Sequence, residues 1–175
     1  MIREIMEDLS KVESSNKILV FLTNRGFHAL LNYRISNFLW KKKVPLIPLV
    51  LTRFIQIVYS IDIDYKAKIG SGCCIVHGVG IVIGKNAVIG NNCKIYHGVT
   101  LGISHSSNKR DGFPTVGNNV LIGAGAKLMG KIIVGNNVKI GANSVVIKDV
   151  PADHTAFGIP AANKKIKLRE ITKVL

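Results

Sequence analysis

The chain has 175 residues, of which 47% are hydrophobic and 19% charged, and this composition excludes a disordered protein. The length fits one compact domain. Lys and Arg number 24 against 10 Asp and Glu, so the formal charge is +14 and an anionic partner is expected, such as a phosphorylated cofactor or an acidic membrane surface. No basic module with interleaved aromatic residues is present, which argues against a nucleic acid.

The start of the chain and its cysteines indicate the compartment. Glu4, Glu7 and Asp8 follow Met1 closely, where a secretory signal would have a basic start and an apolar run. The three cysteines are odd in number and lack the paired spacing of a zinc site, so we expect a cytoplasmic protein without a metal. The apolar stretch 44–61 contains two prolines and an arginine, which argues against a membrane span. Peripheral contact with the inner face of the membrane stays open.

Residues 1–61 show the three- and four-residue spacing of apolar side chains that is typical of helices. Asn24 is suited to cap one helix, and Pro45 is expected to stop it after the lysines at 41–43. We predict two or three helices here, which close one end of the domain that follows.

From Ile63 onward an aliphatic residue recurs with a period of six in thirteen units, and glycine follows it in eight of them. The fifth place of most units is small or β-branched: Ala67, Cys73, Val79, Ala87, Cys93, Val99, Val120, Ala126, Ile132, Val138, Ser144 and Val150. A unit of six cannot bury its own apolar face, but units stacked as the three sides of a coil share one core, with glycines turning the corners. The pattern predicts a mainly β protein, a parallel β-helix with about 18 residues per coil.

The register of this repeat breaks twice. Two extra residues lie between the units that start at 75 and 83, and 78–81 is the expected bulge. The polar segment 103–115 also departs from the period, so we expect it to leave the coil as an exposed loop of the kind that carries binding residues.

The stretch 61–160 resembles the hexapeptide-repeat acyltransferases, and most closely their serine acetyltransferase branch. The matching segments, in chain order, are 62–63, 77–84, 95–102, 122–127, 150–151 and 158–161. The resemblance implies a left-handed β-helix over 62–160, a homotrimer with active sites between subunits, and transfer of acetyl from acetyl-CoA to a hydroxyl group without a metal.

The same resemblance assigns the catalytic residues. The family's general base matches His77, and its partner aspartate matches Asp62, fifteen residues earlier. Imidazole can take the proton of an attacking hydroxyl near neutral pH, and a carboxylate can orient it. A solvated histidine and a helix-capping aspartate are the alternatives. His97 holds the same place in its unit as His77, so it either binds the acceptor or serves the structure.

The cofactor residues are predicted from small side chains and charge. Ala124 and Ala142 are 18 residues apart at the same place in their units, where they either admit the pantetheine arm of acetyl-CoA or avoid clashes between subunits. Gly102 could offer a backbone N–H to the thioester oxyanion. Lys164 and Lys165, in the basic tail 161–175, could meet the cofactor's phosphates or simply be solvated.

The acceptor residues depart from the serine acetyltransferase pattern. The family has an acid directly before the catalytic histidine and an arginine and a histidine in the loop, and this chain has Val76, Gly112 and Phe113 there. We therefore expect a saccharide acceptor, as in the O-acetyltransferases of cell-surface polysaccharide assembly that the short helical region also resembles. Phe113 would stack on the sugar, and Asp111 and His97 would bind it. L-Serine is the alternative acceptor, with Arg110 as the replacement arginine in the loop, and a non-catalytic β-helix assembly protein is a lower alternative.

Overall fold

The computed structural model describes residues 1–14, 16–104 and 111–165. Within them four helices precede the β-helix: α1 (Ile2–Lys11), α2 (Lys17–Thr23), α3 (Arg25–Lys41) and α4 (Ile47–Tyr59). The expectation of two or three helices is too low, and Asn24, predicted to cap a helix, does so between α2 and α3. The backbone N–H of Asn24 closes α2 on Val20, and its side chain accepts a 2.9 Å hydrogen bond from the N–H of Phe27 at the start of α3.

The β-helix confirms the predicted fold class. Its strands are β1 (Asp62–Ile63), β2 (Lys68–Ile69), β3 (Cys74–Val76), β4 (Val82–Ile83), β5 (Val88–Ile89), β6 (Lys94–Tyr96), β7 (Thr100–Gly102), β8 (Thr115–Val116), β9 (Leu121–Ile122), β10 (Lys127–Met129), β11 (Ile133–Val134), β12 (Lys139–Ile140), β13 (Val145–Val146), β14 (His154–Gly158) and β15 (Ala161–Lys165). They form three sheets with the orders β1-β4-β7-β10-β13, β2-β5-β8-β11 and β3-β6-β9-β12-β14-β15. Every pair is parallel except β14 with β15.

The column of period-six aliphatic residues forms the core of the coil, and all thirteen are buried. The fifth-place residues are buried as well, with one exception. Val79 is 45% exposed, and Ile81 takes its place in the core with 0% exposure. The reason is the two-residue bulge: Asp62 pairs with Val82, twenty residues on, which shifts the inward position from 79 to 81. Val79 therefore lies outside the core, unlike the other fifth-place residues.

The glycines after the aliphatic residues have a different role from the one expected, and asparagines occupy one of the corners. The glycines that follow the aliphatic residues do not turn the corners; a Cβ on Gly90 would lie 2.6 Å from the carbonyl oxygen of Gly117, so glycine is needed there because neighbouring coils approach closely. One corner of the coil has left-handed backbone at Asn92, Asn119 and Asn137, a conformation that asparagine tolerates. The side-chain amide of Asn119 donates to that of Asn137 at 3.2 Å, which links consecutive coils.

A buried polar network fixes the helices over the first coil. Arg34 on α3 forms an ion pair with Asp8 on α1 at 3.0 Å, and its other guanidinium nitrogens donate to the carbonyl oxygens of Ile69 and Gly70 at 2.5 and 2.6 Å. The Asp8 carboxylate also accepts from the backbone N–H of Cys73 at 2.9 Å. Both charged side chains are at least 96% shielded from solvent, and their bonds close the open end of the coil.

The remaining features concern the two ends of the chain. In the described ranges no helix is both long and apolar enough to cross a membrane. At the other end, residues 161–165, which were assigned to the basic tail, form β15 antiparallel to β14. Residues 166–175 lie outside the described part.

Candidate active site

Two histidines meet at the edge of the coil. Val76 at the end of β3 pairs with Tyr96 at the end of β6, so His77 and His97 leave equivalent strands of neighbouring coils. Their ring centroids are 5.8 Å apart with an interplanar angle of 67°, an edge-on contact. The His77 side chain is exposed, and its backbone is left-handed with φ 63°. Such backbone is uncommon outside glycine and concentrates at functional sites.

Asp62 lies on β1, the first strand of the coil that ends at His77. It is half-buried, and its carboxylate accepts a 3.2 Å hydrogen bond from the side-chain amide of Gln56 on α4. Gln56 in turn accepts from the Arg53 guanidinium. The bulge after His77 joins this strand through a 2.8 Å bond from the N–H of Gly80 to the carbonyl oxygen of Ser60. Within the described residues no hydrogen bond connects Asp62 to His77, so α4 holds this carboxylate.

A pocket of about 240 Å³ opens beside His77, and Cys74, Val76, Tyr96, Glu13 and Lys94 contribute to its lining. The Lys94 ammonium donates a 2.7 Å hydrogen bond to the Glu13 carboxylate. This bond lowers the pKa of Glu13, so the pocket carries an ionised carboxylate at neutral pH. Burial raises the pKa of the Cys74 thiol, which argues against its use as a nucleophile.

Sequence reasoning missed Glu13. It lies in the turn between α1 and α2, 81 residues before Lys94 and far from the repeats. Its only sequence signal is that no other acid follows until Asp62, which says nothing about the three-dimensional position. The contact arises because the helices fold back over the first coils.

Ala124 and Ala142, the small residues predicted to contact acetyl-CoA, lie along the same edge of the coil as His97. The N–H of Gly125 donates to the carbonyl oxygen of His97 at 2.9 Å, and the N–H of Asn143 donates to that of Ala124 at 2.8 Å. Ala124 is half-buried and Ala142 is exposed. The structure therefore places His97, Ala124 and Ala142 on successive coils along one edge.

Gly102 lies at the end of β7, and a Cβ there would lie 3.1 Å from the Met129 sulfur, so glycine fits a narrow space. The part-buried Lys127 was not singled out from the sequence. Its ammonium donates to the carbonyl oxygen of Gly98 at 2.5 Å and to the Thr100 hydroxyl at 3.2 Å. It thus fixes the turn that follows His97 and adds a positive charge to this edge.

The loop residues are only partly described. An antiparallel bridge from Ser104 to Gly112 closes the loop at its base, and Asp111 is exposed. The Phe113 ring is half-buried and packs so closely on Gly84 that a Cβ there would lie 2.1 Å from the ring. Residues 105–110, including Arg110, lie outside the described residues.

Two further predictions concern charge and metal. Lys164 and Lys165 are both exposed on β15, and as neighbours in a strand they point to opposite faces. Within the ranges that the structure describes, no group of three or more His, Cys, Asp or Glu side chains could hold a metal ion.

Two families of repeats match the chain. "Bacterial transferase hexapeptide (six repeats)" matches residues 113–148, and "Hexapeptide repeat of succinyl-transferase" matches 67–97 and 80–102. Both matches fall on the coils of the β-helix.

Similar proteins share most of the chain. The serine acetyltransferase of Synechococcus elongatus is 45% identical over 146 residues, which are 83% of this chain and 59% of that protein. That of Helicobacter pylori is 47% identical over 83% of this chain and 85% of its own length. Soybean serine acetyltransferase complexed with serine superposes with a TM-score of 0.86 at 37% identity, over 93% of this chain and 68% of that one. A serine acetyltransferase complex with CoA also gives 0.86, at 39% identity over 93% of this chain and 69% of that one.

These relatives correct the expected acceptor. The prediction of a saccharide hydroxyl, and with it the resemblance to polysaccharide O-acetyltransferases, is wrong, because proteins 45% and 47% identical to this chain are serine acetyltransferases. The prediction relied on three positions, because this chain has Val76, Gly112 and Phe113 where the family has an acid, an arginine and a histidine. The chain spans 59% of the length of the Synechococcus relative but 85% of the Helicobacter one. It belongs to the serine acetyltransferase family of hexapeptide-repeat transferases.

Proposed function

We propose that this protein transfers the acetyl group of acetyl-CoA to the hydroxyl of L-serine. The observation that carries the proposal is the exposed imidazole of His77 at the rim of a pocket of about 240 Å³, in a chain 47% identical to a serine acetyltransferase. Solved relatives bind serine in one complex and CoA in another, which supports both substrates for this chain.

In the proposed reaction His77 is the general base. Its imidazole takes the proton of the serine hydroxyl as that oxygen attacks the thioester carbonyl carbon. The tetrahedral intermediate then collapses, the C–S bond breaks, and the CoA sulfur takes the proton from the imidazolium. The products are O-acetylserine and CoA, and His77 returns to its starting state. Asp62, anchored by Gln56, stabilises the transient imidazolium by its negative charge.

The proposed acceptor site uses Glu13 in place of the acid that is missing at Val76. Both residues line the pocket beside His77, so the Glu13 carboxylate can bind the ammonium of serine there. Lys94, which now pairs with Glu13, can bind the serine carboxylate. An amino acid zwitterion would thus meet one charge of each sign although Val76 is apolar.

The proposed acetyl-CoA track follows the edge of His97, Ala124 and Ala142. Small side chains let an extended pantetheine arm lie against the backbone. Lys164 and Lys165 point to opposite faces of β15, so one of the two supplies positive charge for the phosphates. Gly102 is the proposed backbone donor to the developing oxyanion. The coenzyme is a substrate here, and the chemistry needs no metal.

We propose a homotrimer in the cytoplasm. The family resemblance supports the trimer, in which active sites lie between neighbouring subunits. The three cysteines are free and buried, which suits a reducing compartment.

The test is release of CoA thiol by the purified protein. We expect turnover with acetyl-CoA and L-serine, none without an acceptor, and much less with L-alanine, which lacks the hydroxyl. A His77→Gly variant tests the base and keeps the left-handed backbone. Turnover that does not depend on serine, or that persists in this variant, would overturn the proposal.

A further inference from the structure

The helix α4 buries one narrow face and exposes a broad apolar one. Pro48, Thr52 and Ile55 face the protein. The α4 outer face consists of six large apolar residues with exposures from 42% to 82%: Ile47, Leu49, Val50, Phe54, Ile57 and Val58. A surface helix normally has the reverse arrangement, and a contiguous apolar face of this kind marks an interaction site.

The chain segment that carries this face is strongly basic. From residue 14 to residue 61 the chain has no Asp or Glu and seven Lys or Arg. Of these, Arg34 is buried in its pair with Asp8. The exposed cluster Lys41–Lys43 ends α3 just before α4 begins, and Arg53 is exposed on α4 itself.

Charge decides between the occupants of such a face. A two-fold contact between copies would bring the basic cluster against itself, and like charges in contact oppose association. A contact in the proposed trimer pairs different surfaces, and the light-scattering measurement below tests it. An anionic lipid surface complements both features, because acyl chains accept the apolar side chains and headgroups attract the lysines. A helix of 13 residues is about 20 Å long, so α4 can lie in the interface but cannot span the bilayer.

We propose that the α4 outer face and Lys41–Lys43 bind the protein peripherally to an anionic membrane, with α4 lying flat in the headgroup region. This binding is separate from acetyl transfer, since no residue of the face lines the pocket beside His77.

The experiment is sedimentation of the full chain with phosphatidylcholine vesicles, with and without phosphatidylglycerol. We expect binding to the anionic vesicles that weakens as salt is raised, and little binding to neutral ones. Reversing Lys41, Lys42 and Lys43 to Glu should weaken binding by roughly a hundredfold or more. The matched control reverses the same charge on the β-helix, at the exposed Lys131, Lys139 and Lys148, and should weaken it much less.

The apolar part has its own variants. Phe54→Ser together with Ile57→Ser should weaken binding by roughly tenfold or more, whereas Ile133→Ser, an exposed isoleucine of β11, should not. Trp40 is the one tryptophan of the chain. Phe54→Trp in a Trp40→Phe background should therefore report insertion directly, by a blue shift of its emission with anionic vesicles.

The outcomes separate the occupants. If the Lys41–Lys43 variant and the β-helix control variant lose vesicle binding equally, the attraction depends only on net charge and the proposal is wrong. No binding to anionic vesicles would overturn it as well. If the Phe54→Ser, Ile57→Ser variant has a smaller mass by light scattering without lipid, the face contacts another copy of the chain and the proposal is wrong. Serine-dependent turnover is measured on the same samples, so the two proposals fail independently.

Discussion

His77 combines an exposed imidazole with a left-handed backbone. The other left-handed side chains along the coil belong mainly to asparagine, which adopts this conformation at low cost, and His77 adopts it at φ 63°. The turn places the exposed ring beside the pocket, where it is available for chemistry. The backbone would be more stable with glycine at this position. A glycine variant therefore separates the catalytic role of the imidazole from the structural role of the residue in the turn.

We predict that His77→Gly lowers kcat by about a hundredfold or more while the melting temperature stays equal or rises. Loss of the general base causes the first effect, and relief of backbone strain causes the second. His97→Ala, on the same edge, should reduce kcat less. Steady-state kinetics and thermal unfolding of the three proteins are the measurements. An unchanged kcat in His77→Gly would remove this residue from the mechanism.

Glu13 permits a charge-swap test of the acceptor site. Glu13→Gln should raise the KM for L-serine by about ten- to a hundredfold, the range for losing a hydrogen bond to a charged group, and leave the KM for acetyl-CoA unchanged. Adding Val76→Asp should restore serine binding, because it returns a carboxylate to the same pocket. Glu4→Gln, an exposed acid of α1, is the control. A serine KM that does not change in Glu13→Gln contradicts this role.

The elements show how far sequence reasoning reaches. The period of six predicted the parallel coil and its thirteen buried aliphatic residues, because the repeated aliphatic position in each unit indicates which side chain is buried. It does not predict that Val79 is exposed and Ile81 buried, because the exact position of a two-residue bulge decides which side chain turns inward. It also missed the use of glycine between coils, since the contact of Gly90 with Gly117 joins residues 27 apart. In the site, the closeness of His77 and His97 was predictable from their shared repeat position and the choice of His77 came from the family resemblance, whereas Glu13 depends on how the helices pack.

The buried pair Asp8–Arg34 attaches two helices to the first coil, and we predict that Asp8→Ala lowers the free energy of unfolding by about 3–5 kcal/mol. The change leaves Arg34 buried without its partner and removes the acceptor of the Cys73 N–H. Arg3→Ala breaks an exposed pair on the same helix and should cost at most about 0.5 kcal/mol. Urea unfolding measures both. Equal costs would show that the network does not hold the helices in place.

At the scale of the whole molecule, the edge of His97, Ala124 and Ala142 can serve acetyl-CoA, a subunit contact, or both. The predicted trimer places active sites between subunits, so one edge could have cofactor on one side and protein on the other. Ala142 is exposed in the single chain and Ala124 is half-buried, which makes Ala142 the better position for a bulky probe. A large side chain at position 142 would weaken acetyl-CoA binding if the edge binds the coenzyme, and would weaken subunit association if the edge is a subunit contact.

We predict that the unmodified protein has a mass by size exclusion with light scattering of about three times its chain mass of 19.0 kDa. Ala142→Trp should keep this mass and raise the KM for acetyl-CoA at least tenfold, because the indole fills the space of the pantetheine arm while the KM for serine changes little. Ile133→Trp, at an exposed position of β11, controls for the size of the substituent. If Ala142→Trp instead gives monomers that bind acetyl-CoA normally, the edge is a subunit contact and the track lies elsewhere.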